Sequence, residues 1–158
     1  MSSLTTGLSE LQCLTHELLC LGTDGSAVYS DTFCRLNEAV FRCSEALFGL
    51  KSENPEEEAQ LCFALLEGYH ATIYDYEGDK EKKIQAVLNR SWKVLDVLPS
   101  SAVKCRLLLC CYGEVYEEDL LEEAGKIADS WTGRELSEEE KQVGRELEEL
   151  RELENGIS

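Results

Sequence analysis

Apolar residues recur at intervals of three and four along almost the whole chain, and that spacing predicts helices from end to end. Leu8, Leu11, Leu14, Leu18 and Leu21 open the series, with Ser9 and Gln12 placed as a capping box and Gly22 as a stop. The stretch TDGSAVYSD reads as a loop, with an Asp24-Gly25 turn and Ser30 or Asp31 as the next N-cap. In the second helix Phe33, Leu36, Val40, Cys43 and Leu47 keep the spacing, while Cys34, Phe41 and Phe48 add a second row. So wide a stripe implies more than one neighbouring helix.

The clearest start signal is SENPEEEAQ, where Asn54 caps, Pro55 takes the first helical position and three glutamates face the positive end of the helix dipole. This third helix is expected to run to about Tyr74 and to bury Ala59, Cys62, Phe63, Leu66, Tyr69 or His70, and Ile73. Gly78 then turns the chain, and Asp79 caps a fourth helix that points Ile84, Val87, Leu88, Ser91, Leu95 and Leu98 inward and stops at Pro99. After Ser100-Ser101 comes a fifth helix with Leu107, Leu108, Leu109, Cys110 and Cys111, apolar almost all round and therefore central. A sixth helix starts near Asp119 with Leu120, Ala124, Ile127, Ala128 and Trp131, and a Ser137/Glu140 capping box opens the last.

The expected fold class is therefore all-α, a single compact irregular bundle of about six to seven helices. No recurrent 34-residue signature of a helical repeat array is present. Residues 1–158 read as one domain, with 1–7 expected to be disordered. Residues 137–158 form an acidic helix and tail whose few apolar contacts, Val143, Leu147, Leu150 and Leu153, predict loose docking or service to a partner.

Charge narrows the function classes. Against 15 Lys+Arg stand 32 Asp+Glu, a net charge of −17, and residues 114–158 alone hold 16 acidic and 5 basic side chains. Such a field repels nucleic-acid phosphates and anionic membranes and attracts cationic partners, so direct nucleic-acid binding and membrane association are not expected. No leader pattern and no apolar run of about 18 residues occurs, which reads as a soluble cytoplasmic protein.

The eight cysteines, at 13, 20, 34, 43, 62, 105, 110 and 111, lack the C-x2-C spacing of a zinc site. Cys110 and Cys111 diverge by about 100° on a helix, so one metal could hardly take both. They read as small apolar filler in a reducing compartment. Glu67 and His70 in LLEGYHAT, with Asp75 downstream, are the nearest approach to a proton relay, but a single Glu-x-x-His is not the paired set of a di-iron bundle. No P-loop, G-x-G-x-x-G, G-x-S-x-G or EF-hand loop is present. Neither catalytic residue, cofactor nor metal is expected.

What is left is a binding surface. Candidate contact residues are Tyr76 with the basic patch Lys80, Lys82 and Lys83, then Tyr116 with Glu117 and Glu118, and Glu138, Glu139 and Glu140 at the start of the acidic last helix. Tyrosines pack a ring while leaving a hydroxyl wet, and a one-sign charge cluster helps recruit a partner of opposite sign.

The segments LTHELLCLGTDGSAVYSDTFCRLNEAVF, GYHATIYDYEGDKEKKIQAVLNRSWKVLDVLP, CYGEVYEEDLLEEA and SWTGRELSEEE resemble the UpxZ family of Bacteroides transcription antitermination antagonists, over roughly residues 8–142. That resemblance implies no substrate. It implies instead a protein ligand, a NusG-like antitermination factor of the UpxY type from another capsular polysaccharide locus, and loss of read-through as the output. A generic helical adaptor is the alternative that the bundle and its charge alone would also fit.

Overall fold

A computed structural model of the chain describes residues 3–73 and 80–156. Among them are seven helices, α1 (Ser3–Cys20), α2 (Ser30–Phe48), α3 (Pro55–Ala71), α4 (Lys80–Leu95), α5 (Ala102–Val115), α6 (Glu118–Asp129) and α7 (Glu138–Gly156), and no strand. The all-α expectation holds. Two helices occupy the middle of the bundle: α3 touches α1, α2, α4 and α5, while α5 touches α3, α4, α6 and α7.

Both central helices are apolar on nearly every side. Leu61, Cys62, Phe63, Ala64, Leu65 and Leu66 are all buried in α3, as are Leu107, Leu108, Leu109 and Cys111 in α5. Reading α3 as one buried row therefore understated it. Asn54 accepts from the backbone N–H of Glu57 at 2.8 Å and Ser101 from that of Lys104 at 3.2 Å, so both inner helices begin on a side-chain cap.

Three boundaries differ from the sequence reading. Residues 1–7 are not wholly outside the fold, because α1 begins at Ser3 and buries Leu4, one turn ahead of Leu8 on the same stripe. Gly7 permits this: a Cβ there would lie 2.6 Å from Leu47 Cδ2 of α2. Ser9 and Gln12 consequently sit inside α1 and form no cap. Tyr29, not Ser30 or Asp31, takes the N-cap position of α2 and supplies no side-chain bond. The third helix ends at Ala71, three residues early, because Thr72 turns extended and its hydroxyl donates to Tyr69 O at 2.9 Å. Buried Asn37 of α2 then accepts the N–H of Ile73 at 3.0 Å, which leaves Ile73 exposed rather than in the core. The expected Gly78 turn and Asp79 cap lie outside the described residues.

The last helix docks on α5 and α6 through Val143 and Leu147, both buried, and the Arg151 guanidinium lies over Gly125 of α6. Leu153, 62% exposed, is past the contact. The capping box forms as expected. Ser137 N–H donates to Glu140 Oε1 at 2.9 Å and Glu140 N–H to Ser137 Oγ at 3.1 Å, while Arg134 reaches the same carboxylate at 2.5 Å.

These bonds, led by that from Arg134, pull the Glu140 carboxyl down to about 2 from its ordinary 4.5. The unfolded chain then binds more protons than the folded one between those values, so the cap contributes above about pH 4.5 and is lost as pH falls towards 2. The Cα shifts of residues 138–141 are expected to move towards coil over that window, and Glu140→Gln to abolish the transition. Unchanged shifts from pH 5 down to pH ~2 would count against the cap.

Candidate functional site

The ten residues that the sequence nominates fall into separate places. Tyr76 lies outside the described residues. Lys80 donates through Nζ to Thr72 O, and Lys83 pairs with Glu45 of α2 at 2.9 Å and covers the Phe48 ring at 4.3 Å. Two of the three lysines are thus engaged in tying α4 to its neighbours, and Lys82 is exposed. Tyr116 is 73% exposed, with its ring edge-on to Tyr112 at 6.1 Å, and it ends α5 at φ 57°, a left-handed conformation costly for a side chain of that size. Glu117 and Glu118 follow, exposed, at the start of α6.

Glu138, Glu139 and Glu140 stand at the other end of the bundle. The central helices run parallel, since Phe63 meets Arg106, Glu67 meets Cys110 and His70 meets Glu114. Lys80 and Tyr116 lie by the C-terminal ends of α3 and α5, whereas Glu138 and Glu139 flank a cavity with Glu57 and Gln60 near the start of α3. At 1.5 Å per residue those ends are about 20 Å apart. The nominated residues do not converge on one site.

The acid-base reading also finds no assembled constellation. His70 Nδ1 faces Glu114 at 3.0 Å, and Glu67 instead accepts from Cys110 Sγ at 3.7 Å; Asp75 lies outside the described residues. The cleft they share, about 170 Å³, is lined mostly by apolar atoms of Leu66, Leu109 and their neighbours. Burial pushes the Glu67 carboxyl up, an effect that the nearby Arg106 charge opposes. Burial likewise holds the Cys110 thiol well above its ordinary range, so it is a protonated thiol and a poor nucleophile.

Cys62 and Cys105 are driven to about 11 and Cys111 to about 12 by the same desolvation, which fits the filler role. Cys13, Cys20 and Cys34 depart from it, being exposed. Among the described residues no group of three or more His, Cys, Asp or Glu side chains is arranged to hold a metal ion.

A larger concavity than this cleft takes in Glu138 and Glu139 of the nominated residues, together with residues of α1 that were not nominated. Helix α1 rests on α3 and α7 on α5, but no Cα atoms of α1 and α7 come within 8 Å of each other, and a groove lies between them, floored by the central pair. Two cavities of about 400 and 410 Å³ form it, and they share Gln12 and Arg106 in their walls. Arg106 is the floor's cation. Its guanidinium lies 5.0 Å from the Phe63 ring centroid and 3.7 Å from Glu146 Oε1 of α7, and its buried Nε has no hydrogen-bond partner among the described residues.

Carboxylates line the groove from α3 and α7: Glu57, Glu67, Glu138, Glu139 and Glu146. Leu19, 59% exposed, stands at one end, and Thr15, 3% exposed, lines the wall with its hydroxyl unpartnered. A signal for this groove was present in the sequence. Thr15 interrupts the leucine stripe of α1 four residues after Leu11, and Arg106, like Lys104 before it, interrupts the apolar run VKCRLLLCC. A polar residue in an apolar phase is buried with a purpose or at a cost.

No described helix is long and apolar enough to cross a membrane. No protein with a curated description matches the chain. The crystal structure of a transcription anti-terminator antagonist UpxZ from Bacteroides uniformis ATCC 8492 matches with a TM-score of 0.79 and 43% identity, over 96% of this chain and 94% of that one. The sequence also matches a family description over residues 8–113, from the second turn of α1 to the cleft end of α5, taking in both central helices. By fold, by identity along the chain and by that match, the protein belongs to the UpxZ family of transcription anti-terminator antagonists.

Proposed function

We propose that this protein binds NusG-like antitermination factors of the UpxY type encoded by other capsule loci, and that binding stops them from sustaining read-through by RNA polymerase. One capsular polysaccharide operon would then be expressed at a time. The observation that carries the reading is family membership, matched over residues 8–113, joined to the 43% identity over 96% of the chain with an anti-terminator antagonist of known structure. Its site of action is the cytoplasm, where transcription proceeds. No cofactor and no direct contact with nucleic acid are part of the reading, since a charge of −17 opposes phosphate and favours a protein whose working face is basic.

Charge then acts on the encounter rate more than on the lifetime of the complex. Purified protein is expected to retain factors from other loci and not the factor from its own, and to abolish read-through on a capsule leader template. Raising salt by about 200 mM is expected to slow association several-fold with little change in dissociation. Binding of unrelated proteins with no antitermination factor among them would favour a generic adaptor instead.

A further inference from the structure

We infer that the groove between α1 and α7 is the docking site, and that it takes a segment of the protein partner bearing lysine or arginine side chains. This rests on the proposed function for the identity of the partner, and on the groove for the place. Five carboxylates and one guanidinium line the two cavities, so the lining is acidic in excess even of the acidic body around it. An acidic lining alone would be a solvated face. Thr15 is the independent sign, because a hydroxyl on a residue 3% exposed, in the wall of that groove, makes no hydrogen bond among the described residues.

A buried hydroxyl without a partner is destabilising, whereas valine would fill the same space without that penalty. Rotation of the Thr15 side chain towards the groove would bring that hydroxyl to a donor on the incoming segment, which supplies what the fold lacks. The floor adds a stacking and orienting element, Arg106 over Phe63, and the exposed Leu19 gives an apolar contact at one end for the non-polar part of the segment. Lysine and arginine suit such a groove, since their stems pack on apolar walls while their heads reach carboxylates.

Two variants with the same change in charge separate this place from the general field. Glu146→Lys reverses a charge in the groove, and Glu117→Lys reverses one at the far end, beside Tyr116. With a factor from another locus, Glu146→Lys is expected to weaken binding at least tenfold and Glu117→Lys less than threefold. Gln142→Lys, on the exposed rim of the groove, repeats the test should Glu146→Lys unfold, with Glu118→Gln as its charge-matched partner.

Thr15→Val is expected to raise the melting temperature and yet weaken binding at least threefold, a combination that a residue with only a structural role would not give. Equal losses from the groove and far-end variants, or a loss confined to the far end, overturn the groove while leaving the proposed function standing. Should no factor bind the wild type, the proposed function fails, and the groove is judged with a hexalysine peptide. A tenfold loss with Glu146→Lys and not with Glu117→Lys then upholds it, and equal affinities overturn it.

Discussion

Replacing Leu108 by alanine is expected to remove about 3 to 5 kcal/mol of stability, the upper part of the range for deleting a buried leucine. The reason is where α5 sits. Leu108 is 1% exposed on a helix enclosed by α3, α4, α6 and α7, and Leu107 and Leu109 on either side of it are buried as well. Successive residues on a helix diverge by about 100°, so these three leucines reach three different parts of the surrounding shell.

A cavity at such a point cannot be closed by moving one element, because a shift that fills it opens contacts with the other three. For a domain of this length the loss corresponds to a fall in melting temperature on the order of 10 °C. Urea unfolding should show a lower midpoint at unchanged slope. Leu153→Ala, on a residue 62% exposed, should change stability by less than about 0.5 kcal/mol. A loss below about 1 kcal/mol for Leu108→Ala would mean that the shell around α5 collapses easily, and that α5 is not the packing centre.

Composition round a single helix made α5 legible: five successive apolar residues cannot all face one neighbour. The run from Leu61 to Leu66 carries the same signal, and its burial makes α3 the second centre. Local chemistry was legible wherever a cap is made within a few residues, as at Asn54, Ser101 and Ser137. It failed where a distant residue decides. The early end of α3 depends on Asn37, 36 residues away, and the early start of α1 on Leu47 accepting a glycine against it.

The candidate site was less legible than the fold for the same physical reason. Exposed charge reads from a sequence as available charge, yet Lys83 and Arg90 turn out to be held by Glu45 and Glu58 from other helices. Glu140, nominated for a partner, closes its own helix's cap. The groove depends on the separation of two helices far apart in the chain, which no local pattern encodes. Of its lining, Glu138 and Glu139 are nominated from the acidic run, whereas the misfits Thr15 and Arg106 become informative only once the surrounding positions are known to be buried.

Removing Glu58 alone is expected to cost about 2 kcal/mol, somewhat below the range for breaking a fully buried pair because roughly a quarter of each side chain remains exposed. Arg90 donates to Glu58 through Nη2 at 2.6 Å and Nε at 2.9 Å, Ser52 Oγ adds a third bond at 2.5 Å, and Arg90 Nη1 also donates to Phe48 O at 3.2 Å. One guanidinium thus joins α4 to α3 and to the end of α2. Glu58→Leu strands the arginine, and Arg90→Met strands the carboxylate. The pair of changes together should recover most of the loss, with a coupling of about 1 to 2 kcal/mol in the double-mutant cycle.

Acid gives an independent measure of the same contact. Burial raises the Glu58 carboxyl, but the bonds from Arg90 and Ser52 outweigh it and leave the group below its ordinary 4.5. A depressed folded value means that the contribution is complete above 4.5 and disappears as pH falls through the folded value. Stability of the wild type should therefore drop more steeply below pH 4.5 than that of Glu58→Gln, and the two curves should converge at the acid end. Parallel curves would show that the ion pair contributes nothing. The orientation of α3, and with it the placement of Glu57 and Gln60 in the groove, would then rest on apolar packing alone.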